Sequence, residues 1–194
     1  YYAKAGAWWL ISAVARILSV PRQISGAAAG AASSTPLIER WDGSTWQVVS
    51  GPRVRGALVA VAGSGVDDVW AVGSVGQTVW AGDWPEYRYW ALAEHWDGSS
   101  WTRARVPFRG ELWGVSTVAP DDAWAVGGDY TDLEGGPAPI LLHWDGTAWS
   151  KVDPGSGVRL GALTDVVALA EHDVWVIGDD ADDGAVAVHW NGAR

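Results

Sequence analysis

The sequence predicts an all-β chain made of repeated four-stranded units, and three observations predict it. The first is a motif written three times, as Val69-Trp70-Ala71-Val72-Gly73, Ala123-Trp124-Ala125-Val126-Gly127 and Val174-Trp175-Val176-Ile177-Gly178, each directly after an aspartate. The second is a partner motif, Trp41-Asp42-Gly43, Trp96-Asp97-Gly98 and Trp144-Asp145-Gly146, with Trp190-Asn191-Gly192 as a fourth copy. A second tryptophan follows three of these, at Trp46, Trp101 and Trp149. The third is composition: glycine is abundant, lysine is nearly absent, and valine, alanine and tryptophan dominate the apolar set, which suits short strands joined by tight turns. Self-similarity at a spacing of about 46 to 55 residues marks a repeat architecture. Ten of the 16 tryptophans belong to it, so they read first as building material.

The chain divides into an N-terminal apolar segment, 1–36, and the repeats, 37–194. Residues 1–38 hold no acidic side chain, and the run from Ala5 to Val20 is largely apolar. Three readings stand side by side. In one the run is the end of a secretory signal or an anchor, with Ala5 to Ala15 as its apolar stretch and Gly26 to Ser34 as a small-residue cleavage region. In another it is a degenerate first repeat, with Arg16-Ile17-Leu18-Ser19-Val20-Pro21 lying where later copies have Asp-Val-Trp-Ala-Val-Gly. In the third it is a helix, because an alanine-rich apolar run fits helix and strand alike.

From Leu37 onward each repeat resolves into four short strands. In the clearest copy Leu112 to Val118 alternates and ends at the turn Pro120-Asp121-Asp122, and Ala123 to Val126 follows and stops at Gly127-Gly128. Ile140 to Trp144 then runs into Asp145-Gly146, and Trp149 to Val152 closes the unit. Asp-Gly between two strand-like runs is a strong hairpin signal, since glycine supplies the positive φ of the turn. Four antiparallel strands in about 50 residues describe one blade of a β-propeller. By motif count about three and a quarter blades are recognisable, or four if a degenerate N-terminal blade is included. Two completions follow: further blades outside this segment, or a four-bladed ring in which Tyr1 to Lys4 adds the outer strand missing after Trp190.

The paired motifs resemble the repeats of bacterial kelch-like β-propeller proteins, and more distantly those of sialidase propellers. The resemblance covers about residues 37–192. It implies a propeller fold and an extracellular or cell-surface location, and it implies no particular activity. The turn Asp97-Gly98-Ser99-Ser100-Trp101 is one residue shorter than the sialidase Asp-box, Asp-x-Gly-x-x-Trp.

Composition narrows the partners. A formal charge of −10 leaves no basic footprint for a phosphate backbone, so nucleic acid is not expected. The absence of cysteine removes disulfides, thiol nucleophiles and thiolate metal sites. No cofactor motif is present, and membrane contact is expected only if residues 5–20 form an anchor.

The repeated polar residues read as structure. Asp68, Asp122 and Asp173, like Asp42, Asp97 and Asp145, are expected to cap their own turns through backbone hydrogen bonds. His95, His143 and His189, with Arg40 in the same place, lie a blade apart and cannot share an ion. The cluster Asp179, Asp180, Asp182 and Asp183 departs from the spacing of a calcium loop. No catalytic or metal residue is therefore assigned.

Binding is expected where the copies differ. The insertion from Gly73 to Ala91 carries Trp80, Trp84, Tyr87, Tyr89 and Trp90 beside Asp83 and Glu86. Aromatic rings stack on the apolar face of a sugar, and carboxylates take its hydroxyls. The connections between blades add Arg55, Arg109 and Arg159, placed to clamp an anion at the channel mouth or to pair with a neighbouring blade's acid. The expected function is a non-catalytic exported or surface module that binds protein or carbohydrate. Two alternatives remain: a sialidase-like glycoside hydrolase or lyase using Tyr87 and Glu86 near the arginines, and a repeat spacer with no ligand.

Overall fold

The computed structural model describes residues 2–4, 7–12, 35–81, 83–131, 136–155, 159–180 and 184–192, with backbone alone at 2–4, 7–12, 81, 84, 85 and 87. The described chain is all-β and contains four antiparallel sheets, each a meander in chain order. The first holds β1 (Tyr2–Lys4), β2 (Ala7–Ser12), β3 (Leu37–Trp41) and β4 (Trp46–Val49). The second holds β5 (Ala57–Gly65), β6 (Asp68–Ala81), β7 (Trp84–Trp96) and β8 (Trp101–Ala104). The third holds β9 (Glu111–Ala119), β10 (Asp122–Asp129), β11 (Ala138–Trp144) and β12 (Trp149–Lys151). The fourth holds β13 (Leu160–Ala170), β14 (Asp173–Asp180) and β15 (Ala185–Trp190). No described helix is long and apolar enough to cross a membrane.

The sheets stack face to face in sequence, with β5, β9 and β13 adjoining one another in turn. Alternation along each second strand explains how one short motif fills two interfaces. Val69 and Ala71 face the first sheet, with Ile38, Leu58, Leu92, Trp96 and Trp101. Trp70 and Val72 face the third sheet, against Leu142 and Trp149. Trp124 and Val126 repeat this toward Leu163, Val174 and Val176 of the fourth. An indole is large enough to bridge much of the roughly 10 Å between packed sheets.

The glycine that closes the motif does not stop the strand, as the sequence suggested. β6, β10 and β14 all run past Gly73, Gly127 and Gly178, and the register slips between Val126 and Gly127. At this bulge the second strand presses against the first, so that a Cβ on any of the three glycines would overlap the carbonyl oxygen of Ala57, Glu111 or Ala162.

The N-terminal segment joins the stack, but in a different register from the one expected. Trp9 lies opposite Arg40 and Trp8 opposite Trp41, as Trp70 lies opposite His95 and Val69 opposite Trp96. Ala7-Trp8-Trp9-Leu10-Ile11-Ser12 therefore takes the place of Asp-Val-Trp-Ala-Val-Gly, whereas Arg16 to Pro21 lies outside the described residues. Tyr2–Lys4 pairs with β2, which sets aside the completion in which it adds an outer strand beside Trp190.

Candidate functional site

The repeated acids divide into two structural roles. Asp42, Asp97 and Asp145 cap four-residue turns, each Oδ1 accepting the backbone N–H of the residues two and three further on at 2.8 to 2.9 Å. The following glycines have φ of 103°, 93° and 89°. Hydrogen bonds from Ser99 and Thr147, side chain and backbone together, hold the Asp97 and Asp145 carboxyls down at about 2, and the Thr45 and Ser44 donors lower Asp42 further.

The other three acids do something the sequence did not reveal. Asp68, Asp122 and Asp173 pair with Nε2 of His95, His143 and His189 at 2.7, 3.0 and 2.8 Å. Each imidazole lies over the motif tryptophan of its own sheet, with ring centroids 4.3 to 4.4 Å apart. Asp122 also accepts the Trp124 indole N–H at 2.9 Å. The triplet ties the second strand to the third. Ser64 Oγ donates to the other oxygen of Asp68.

The expected binding loop is a hairpin. β6 and β7 stay paired all the way to Ala81 and Trp84, so the segment from Gly73 to Ala91 projects as a two-stranded ribbon. Its base is held by Gly110 N–H on the Tyr89 carbonyl at 2.9 Å, Ala91 N–H on the Phe108 carbonyl at 3.2 Å, and Ser74 Oγ on Glu111 at 3.0 Å. Alternation puts Trp80 and Tyr89 on one side of the ribbon and Val75, Gln77 and Trp90 on the other. Trp80 and Tyr89 are exposed, and the Tyr89 ring lies over Gly76. The side chains of Trp84 and Tyr87 lie outside the described residues.

On the Trp90 side lies a cleft of about 600 Å³. Arg53, Val54 and Arg55 of the connection between β4 and β5 form one wall, and Val75, Gln77, Trp90 and Arg103 contribute to the other. Arg55 and Trp90 were expected at a binding site, whereas Arg53 and Arg103 were not. Arg103 was legible in principle, since alternation from Trp101 puts both on the face toward the first sheet. Among the described residues no carboxylate oxygen lies within 4.0 Å of the guanidinium groups of Arg53, Arg55 or Arg103. All three are exposed.

The remaining predicted residues stand apart from this cleft. Arg109 bridges by its backbone to Trp90 at the ribbon base, and Arg159 precedes β13; neither lines the cleft. Glu86 is engaged by Arg88 at 2.8 Å, which lowers its pKa. Asp182 and Asp183 lie outside the described residues, and no group of three metal-ligating side chains occurs among the described ones.

Behind the cleft, Glu94 is 1% exposed and faces the first sheet. Among the described residues neither of its oxygens has a hydrogen-bond partner. Burial pushes its pKa up to about 7, against the opposing charge of Arg103. No protein-family profile and no curated protein matches the chain.

Proposed function

We propose that the chain is a non-catalytic binding module of β-propeller type, exported or surface-attached, whose cleft takes an acidic carbohydrate. The propeller reading is supported by the four stacked meanders and by adjoining first strands. The resemblance of the paired motifs to bacterial kelch-like repeats supports the location. The observation that carries the ligand class is the cleft itself, where three exposed arginines stand around an indole: among the described residues Arg53 and Arg55 have no carboxylate within salt-bridge distance, and Arg103 has only the buried Glu94 across the strand pair. A guanidinium fork matches a carboxylate or sulfate, and an indole wall offers a stacking surface to a pyranose ring. In a chain of net charge −10, three such arginines on one opening are a local reversal of sign.

A glycan array that includes sulfated and carboxylated oligosaccharides tests the reading. Binding is expected to fall at least tenfold in an Arg55→Ala/Trp90→Ala variant and to weaken as salt rises, because the guanidinium groups are solvent-exposed. Retention of acidic glycans by that variant would overturn the proposal. Preference for an acidic peptide would replace carbohydrate with protein, and turnover of a chromogenic sialoside would replace the module with a hydrolase.

A further inference from the structure

We infer that the two end faces of the sheet stack bind each other between copies of this chain, the fourth sheet of one copy receiving the first sheet of the next. Inside the chain the same contact is already made twice. Trp70 of the second sheet lies 4.9 Å from Trp144 and 4.9 Å from Trp149 of the third, ring centre to ring centre. Trp124 of the third sheet lies 4.8 Å from Trp190 of the fourth. One half of the interface is the motif tryptophan with the aliphatic residue two places on. The other is the tryptophan that opens the Trp-Asp-Gly turn, or Trp-Asn-Gly in the fourth sheet, joined in the third sheet by the one that closes it.

Each half also occurs once without its partner. On the fourth sheet Trp175 and Ile177 stand where Trp70 and Val72 stand, yet they are 45% and 49% exposed, with Val167 and Leu169 exposed beside them. On the first sheet Trp41 and Trp46 pair at 5.6 Å, close to the 5.9 Å of Trp144 and Trp149. Trp46 is 37% exposed and Val48, on the same face, 68%. Six of the ten large exposed hydrophobic side chains among the described residues therefore sit on these two faces. Apolar surface concentrated in this way marks an interaction site.

The repeated interface identifies what covers each face. The surface that meets a motif tryptophan elsewhere in the molecule is the face of the tryptophan that opens a Trp-Asp-Gly or Trp-Asn-Gly turn, with a second tryptophan in the third sheet, and Trp41 and Trp46 supply such a face on the first sheet. Two different, complementary patches make a heterologous contact that runs head to tail. The copies are acidic, so salt should strengthen their apolar contact by screening repulsion between them.

Sedimentation of the 194-residue chain, with Val48→Glu and Ile177→Glu variants, tests the inference. Both positions are exposed, and a thermal melt confirms that each variant is folded. The unaltered chain should gain mass with concentration, more so at high salt, and each variant alone should stop at the monomer. An equimolar mixture should recover a one-to-one dimer, because the Val48→Glu chain keeps its fourth-sheet face and the Ile177→Glu chain keeps its first-sheet face. A chain that stays monomeric at every concentration would overturn the proposal, and so would self-association that survives either substitution. A mixture that fails to pair would overturn the head-to-tail arrangement.

Discussion

The third and fourth sheets carry the same sentence of sequence and put it in different surroundings. In the third, Trp124 is fully buried, its ring against Trp190 of the next sheet and its indole N–H on Asp122. In the fourth, Trp175 makes the same stack on its own histidine, at 4.3 Å, and is nearly half exposed. The motif thus specifies a half-interface, and burial comes from whatever sheet lies beside it. Stability in such a stack is a sum of unit terms and neighbour terms, and the two sheets separate them.

The largest test of that separation is the pair Trp124→Ala and Trp175→Ala. Removing a buried indole leaves a cavity and should cost about 3 to 5 kcal/mol. Removing the half-exposed one should cost under about 1 kcal/mol in the monomer. Chemical denaturation measures both, and equal losses would show that the tryptophan acts within its own sheet.

Glu94 gives the next effect, because the same register position holds Leu142 in the third sheet and Val188 in the fourth. A carboxyl raised from 4.5 to about 7 keeps its proton in the folded state while the unfolded chain ionises. Its penalty is absent below pH 4.5, grows as pH rises through the window to 7, and then levels off. Glu94→Gln should therefore be stabilising by about 2 to 3 kcal/mol at pH 8 and near neutral at pH 4. A gain that does not depend on pH would point to packing in place of ionisation.

A smaller difference is expected between His143→Ala and His189→Ala. The first strips a partner from buried Asp122 and should cost about 1 to 3 kcal/mol. The second exposes an aspartate that water already reaches, and should cost less. Unfolding at pH 7 compares them directly.

How much of this was legible follows the same line between local and neighbour-dependent features. The turn caps and their glycines were readable because Asp97, Gly98 and Ser99 meet within a few residues. The histidine–aspartate pairs were not, because Asp68 and His95 meet only once β6 and β7 are in register. The strand at Ala7–Ser12 was obscured for another reason: it lacks the flanking aspartate and glycine that mark the other copies, so an apolar run there reads equally as signal, helix or repeat, and spacing alone points to Arg16 to Pro21. Arg55 and Trp90 of the candidate cleft stood out by position and Arg103 follows from alternation after Trp101, whereas Arg53 reaches the cleft from a connection that no spacing marks.

The turns supply the case in which the comparison should vanish. Asp42 belongs to the first sheet, at one end of the stack, and Asp145 to the third, inside it, yet both accept the same pair of backbone N–H groups within their own turn. Both carboxyls are lowered by those bonds, so what they contribute is present above about pH 3.8 and fades as pH falls toward and below 2. Asp42→Ala and Asp145→Ala should lower the melting temperature at pH 7 by similar small amounts, and both losses should shrink as pH falls toward 2 and below, at lower pH for Asp42 than for Asp145. A larger loss at Asp145 would mean that even the turns draw on the neighbouring sheet, and the division into unit and neighbour terms would fail at its most local element.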